Sequence, residues 1–245
     1  MTDKLKRTAI LNISYINTNF NHFLNIIQER TNDRSNTFIV TVNPEIAYYA
    51  HEHPEYQKII SGADFITPDG IGIIKASEML NTPIQERITG FDIFKAMLDW
   101  GNQNHKSAYF VGAKPNVIED LKAVLASDYP NLKISGMHDG YFDDEQSIAD
   151  EIKQTQPDMV FAALGSPKQE AFIAKYRHLN NGLWIGLGGS FDVLSGNTKR
   201  APKFWINHHL EWLYRLISEP SRLPRLMVIP KYLKLIRKAK KSRLG

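Results

Sequence analysis

The stretch FIVTVNPEIAYYAHEHPEYQKII, residues 38–60, passes from a short apolar run into a longer segment of helical period, with Asn43-Pro44-Glu45 at the join. Apolar runs of this length suit buried strands, and longer periodic segments suit helices. The succession then repeats. DFIT (64–67) leads to GIIKASEML and GFDIFKAMLDWGNQ, SAYFVG (107–112) to PNVIEDLKAVLASDYP, LKISG (132–136) to EQSIADEIKQTQ, and DMVFAAL (158–164) to PKQEAFIAKYRHL, before a last run, GLWIGLG (182–188). This rhythm predicts an α/β fold, a Rossmann-like and mostly parallel sheet flanked by helices.

The rhythm stops near residue 195. From WINHHLEWLYRLIS onward the segments read as helical, divided by Pro220, Pro224 and Pro230 because proline ends or kinks a helix. Residues 1–197 are therefore read as an α/β body and 198–245 as a basic helical C-terminal appendage. Residues 199–245 carry thirteen Lys and Arg against two acids, so a chain of net charge +4 has a body of −7 and an appendage of +11. Such a tail calls for a polyanion: a lipid surface, a nucleic acid or a phosphorylated substrate. The last piece, PKYLKLIRKAKKSRLG, sets Tyr232, Leu233, Leu235 and Ile236 among lysines and arginines, a composition suited to anionic headgroups.

The chain has no cysteine, which removes disulfides and thiolate metal sites and points to a reducing cytosol. Its first residues lack the apolar core of a secretory signal, and no stretch approaches the roughly 20 apolar residues of a membrane span. A cytoplasmic protein is expected. HExxH, DxD, metal-spaced His/Asp clusters and GxSxG are all missing from the sequence, so neither a metal site nor a nucleophile elbow has support.

In open α/β sheets ligands bind outside the carboxyl ends of the strands. Four polar breaks fall there: Asn43-Pro44-Glu45, with Thr41 in the strand end, Pro68-Asp69-Gly70, Ala113-Lys114-Pro115-Asn116, and Gly165 to Glu170. Asp69 reads either as a cap on the following helix or as a general base beside Gly70 and Gly72, which leave room for substrate. YFVGAKPNV has the strand–turn–helix form that receives phosphate, although any α/β protein has such turns. Gly186, Gly188 and Gly189, with Ser190 and Asp192, read as a backbone nest for a pyrophosphate or as a tight turn. Arg215, Arg222 and Arg225 read as a diphosphate clamp or as a solvated basic face.

Taken in order, TVNPE (41–45), TPDGIGIIKAS (67–77), ERITGFD (86–92), YFVGAKPNV (109–117), HDGYF (138–142), LGSPKQE (164–170), GLGGSFDVLSGNTKRAP (186–202) and LEWLYRLISEPSRLPR (210–225) resemble the WecG/TagA/CpsF family of glycosyltransferases over nearly the whole chain. Within it, the compact length and basic tail look most like the TagA/TarA branch of wall teichoic acid synthesis. The resemblance implies inverting transfer of N-acetylmannosamine from its UDP donor to the 4-hydroxyl of N-acetylglucosamine on undecaprenyl diphosphate. Relatives use N-acetylmannosaminuronic acid or glucose.

The resemblance also implies roles. Asp69 matches the proposed base, and Thr41, Asn43, Gln169 and Arg87 match the substrate pocket. Gly112 and Asn116, with Gly186, Gly188, Gly189 and Asp192, look like the uridine and diphosphate site. Arg215, Arg222 and Arg225 match arginines thought to fold over the pocket and stabilise the departing UDP. No cofactor and no metal are expected. The partners implied are the UDP-sugar, the lipid-linked acceptor, the anionic inner leaflet of the cell membrane and a possible homo-oligomer, with no nucleic acid. Two readings of other classes stand beside it: a polyanion-binding module carried by the tail, and an NAD-dependent sugar-nucleotide dehydrogenase, which lacks its GxGxxG.

Overall fold

The structure, a computed structural model, describes residues 5–202, 204–205, 208, 210–218 and 227–244, without the side chains of Arg215, Ser218, Arg243 and Leu244. A short antiparallel hairpin, β1 (Arg7–Ile10) and β2 (Ile13–Ile16), precedes α1 (Phe20–Asn32). There follow β3 (Thr37–Val42), α2 (Pro44–Glu52), α3 (Pro54–Ser61), β4 (Phe65–Pro68), α4 (Ile71–Met79) and α5 (Gly90–Gln103). Next come β5 (Ser107–Gly112), α6 (Pro115–Asp128), β6 (Lys133–His138), α7 (Glu145–Thr155), β7 (Met159–Ala163), α8 (Lys168–Tyr176) and β8 (Leu183–Gly186). The chain closes with α9 (Ser190–Leu194), α10 (Glu211–Ser218) and α11 (Val228–Leu244).

Six strands form one sheet in the order β4-β3-β8-β7-β5-β6, every neighbouring pair parallel. β3 shows why. All six of its residues are buried, as a parallel strand covered on both faces requires. Its side chains alternate, Phe38, Val40 and Val42 packing in one core cluster and Ile39 in the other. The first cluster takes apolar residues from α2, α3, α4, α7, α8 and α11, and the second from α1, α5, α6 and α9. Both layers are helical, which is the expected architecture.

Three local features differ from the sequence reading. Residues 44–60 form two helices rather than one, because Pro54 cannot continue the ladder of α2 and starts α3 instead. The hairpin and α1 carry no long apolar run and were not anticipated. The last helix is attached to the body: Tyr232 and Ile236, four residues apart on one face of α11, are fully buried with Ala47, Ala50, Ile73 and Ala76, and Leu233 packs against the same cluster. Three of the four apolar residues assigned to lipid thus meet protein. Among the described residues no helix is long and apolar enough to cross a membrane.

Truncating a buried aromatic costs its transfer energy and leaves a cavity. Tyr232→Ala is expected to lower stability by about 3 kcal/mol, read as a lower denaturant midpoint at unchanged slope.

Candidate active site

The chain leaves β3 toward α2 on one face of the sheet and leaves β8 toward α9 on the other, and the crevice between such diverging connections is where open α/β sheets bind ligands. A cavity of roughly 610 Å3 opens there. Its walls come from the ends of β3, β4 and β8, the first turns of α2 and α4, the loop before α5, and α10 and α11.

Register sets the floor. Thr41 pairs with Thr67 and Val42 with Pro68, so the chain leaves β3 and β4 at the same level. The Asp69 N–H then donates to the Val42 carbonyl at 3.1 Å. Asn43 caps α2, its Oδ1 accepting the Ile46 N–H at 2.9 Å, with Pro44 in the first turn. Gly70 has φ +98°, a conformation open to glycine. A Cβ on Gly72 would lie 2.5 Å from Pro44 Cγ, so that glycine lets α4 press on α2. The N-cap of α4 is Gly70, which has no side chain to cap with. Asp69 precedes it and lines the cavity.

Another part of the wall is electrostatic. Arg87 donates to Glu211 Oε2 at 3.3 Å, joining the loop before α5 to the start of α10. Arg200 donates to Asp92 Oδ1 at 2.6 Å and lies over the Phe91 ring at 4.5 Å. Asp92 is itself held by Thr89, whose hydroxyl donates to its Oδ2 at 2.7 Å and accepts its N–H at 3.1 Å.

Of the residues singled out in the sequence, Thr41, Asn43, Asp69, Arg87 and Gly189 meet in this cavity, together with Glu45, Gly70, Gly72 and Ser190. Others lie outside its walls. Gln169 is buried. Its Oε1 accepts from Gly165 N–H at 3.2 Å and Gly188 N–H at 3.0 Å, and its Nε2 donates to Glu170 Oε1 at 2.7 Å. It ties the loops after β7 and β8 together. Burial pushes the Glu170 carboxyl up, opposed by the hydrogen bonds from Gln169 and Ser166. A Cβ on Gly186 would strike Gln169, and one on Gly112 would strike the Ala163 backbone, so both glycines serve close packing. Asn116 donates to Asn197 Oδ1 at 3.0 Å, and Asp192 accepts the Thr198 N–H through its carbonyl at 2.8 Å. Arg222, Arg225 and the Arg215 side chain lie outside the described residues.

Sequence reasoning missed Lys75, Arg200, Glu211 and Trp212 as cavity residues, and gave Glu45 no role. Lys75 had a usable signal: it follows Ile71 by one helical turn in the helix that begins just after Asp69. Removing Gln169 strands two backbone donors. Gln169→Ala is expected to cost about 2 kcal/mol, read by thermal unfolding, while Glu170 loses one of its hydrogen-bond donors.

Residues 8–244 match the family model described as "Glycosyl transferase WecG/TagA/CpsF family". Among the most similar proteins is the N-acetylglucosaminyldiphosphoundecaprenol N-acetyl-beta-D-mannosaminyltransferase of Bacillus subtilis (strain 168), 44% identical over 241 residues, which span 98% of this chain and 94% of that protein. The protein of the same name from Bacillus spizizenii is 43% identical over 240 residues, 97% and 93% of the two chains. That from Staphylococcus aureus (strain MW2) is 35% identical over 240 residues, 96% and 94% of the two.

Proposed function

The chain belongs to the WecG/TagA/CpsF glycosyltransferase family, and from that premise we propose that it transfers N-acetylmannosamine from UDP-N-acetylmannosamine to N-acetylglucosamine on undecaprenyl diphosphate. The product is the disaccharide of the wall teichoic acid linkage unit. The observation that carries the mechanism is a carboxylate and guanidinium groups on the walls of one cavity at the sheet's switch point: Asp69 beside Asn43, with Arg87 and Arg200 beyond.

Asp69 takes the proton from the acceptor 4-hydroxyl as that oxygen attacks the anomeric carbon of the donor sugar. The new glycosidic bond forms as the bond from that carbon to the UDP phosphate breaks, and the configuration inverts. The electron pair leaves with UDP, whose growing charge is met by arginine donors. Arg87 and Arg200, both on the cavity wall, donate to it, and Arg215, Arg222 and Arg225 supply the remainder. No metal ion or cofactor is required in this scheme, since guanidinium groups do the work of a divalent cation on the diphosphate.

Residues 198–245 act as a lid on the 1–197 body. Support comes from Arg200, Glu211, Trp212, Ile229 and Leu233, which already belong to the cavity wall. The enzyme works in the cytoplasm at the inner face of the membrane, where its lipid acceptor lies and where the basic outer face of α11 meets anionic headgroups. Product made with a soluble acceptor analogue tests the reaction. A β-linked mannosaminyl residue on the 4-oxygen, identified by NMR, is expected; retained configuration would remove Asp69's role as base to the attacking hydroxyl.

A further inference from the structure

The cavity cations are not equivalent. Arg87 is paired with Glu211 and Arg200 with Asp92, whereas Lys75, exposed on α4, has no carboxylate partner among the described residues. Lys75 and Ile71 are four residues apart and share a face of α4. Ile229 and Leu233 share a face of α11 in the same way, the two helices pack together, and all four residues line the cavity. The result is a slot with an ammonium that has no ion-pair partner among the described residues on one wall and aliphatic side chains around it.

Resting on the transfer reaction above, we propose that this slot binds the prenyl diphosphate of the acceptor, with Lys75 on the diphosphate and Ile71, Ile229 and Leu233 against the first prenyl carbons. The ligand is an anion fused to a hydrocarbon, and the slot offers one cation and an apolar wall in the same order. Position supports the match. Asp69 lies just before α4, and Lys75 lies roughly 6 Å of helical rise beyond Ile71. Asp69 and Lys75 line the same cavity, one just before α4 and the other a turn into it, so a sugar whose 4-hydroxyl sits at Asp69 carries its anomeric diphosphate toward Lys75. The donor diphosphate goes to the arginines on another part of the wall, so the two diphosphates of the reaction use separate cations.

The test is calorimetric binding of farnesyl diphosphate and, separately, of UDP to the full-length chain, to Lys75→Ala, Lys75→Arg and Leu233→Ser. Loss of a charge-assisted contact to a diphosphate is worth on the order of tenfold in affinity or more. Lys75→Ala and Leu233→Ser are expected to weaken farnesyl diphosphate by that factor, Lys75→Arg to restore most of it, and all three to leave UDP affinity unchanged. The KM for the lipid-linked acceptor should rise in parallel while that for the donor stays put. No farnesyl diphosphate binding by the wild-type chain, equal binding by Lys75→Ala, or a loss that falls on UDP instead, overturns the proposal. If wild-type transfer fails but Lys75-dependent prenyl diphosphate binding is seen, the slot stands and the proposed reaction falls.

Discussion

Asp69→Asn is expected to lower turnover by about a hundredfold or more, the usual scale for a lost general base, while donor affinity changes little. In barrier terms that is about 2.7 kcal/mol removed from the transition state alone. The substitution is nearly isosteric, and the residue-69 N–H bond to the Val42 carbonyl, which helps fix the turn, is a backbone bond that asparagine keeps. A fall in kcat at unchanged donor KM therefore reports chemistry, not folding. Single-turnover rates at saturating donor and acceptor make the comparison clean. Turnover close to wild type would take the base role from Asp69 and redirect attention to Glu45, the other carboxylate on the α2 side of the cavity.

Removal of residues 198–245 has the other large effect: acceptor-dependent turnover is expected to vanish. The deletion takes away Arg200, Glu211, Trp212, Ile229 and Leu233, and with them one side of the cavity. It also uncovers α2 and α4, because Tyr232 and Ile236 are buried against them. Losing both side chains costs several kcal/mol, the sum of two core truncations. The sheet and its remaining helices keep core residues packed on both faces, so a cooperative but less stable unfolding transition is expected. A full-length Trp212→Ala chain separates the causes: it retains α11, and its acceptor-dependent rate should still fall. Full activity in the truncated chain would show that the lid plays no part.

Much of the architecture could be read from β3 outward, because a strand buried on both faces leaves a continuous apolar run such as FIVTV, and the helices between such runs are long enough to show their period. The hairpin escaped because each of its strands has four residues, too few to establish an alternation. α1 escaped because it buries only Phe23, Ile27 and Thr31, a narrow stripe in a polar segment. Asp69 and Asn43 were legible because both directly follow strands, and the position of a residue after a strand is a local fact. The purpose of the glycines was not: Gly72 answers to Pro44 and Gly186 to Gln169, contacts that exist only after folding. Residues 198–245 meet the rest of the chain through Arg87–Glu211 and Arg200–Asp92, partners 124 and 108 residues apart. No periodicity announces such pairs. The tail's composition suits anionic headgroups, but composition does not say which side chains face them: helical spacing divides the tail, Tyr232 and Ile236 turning inward and the lysines outward.

The most direct measurement is UDP release by the full-length protein from a panel of UDP-sugars, with and without N-acetylglucosamine diphosphate on a prenyl carrier. The expected result is release from UDP-N-acetylmannosamine that depends on the acceptor and is lost in Asp69→Asn. Release from no donor by a demonstrably folded protein, or release that is indifferent to the acceptor and to Asp69, would contradict it.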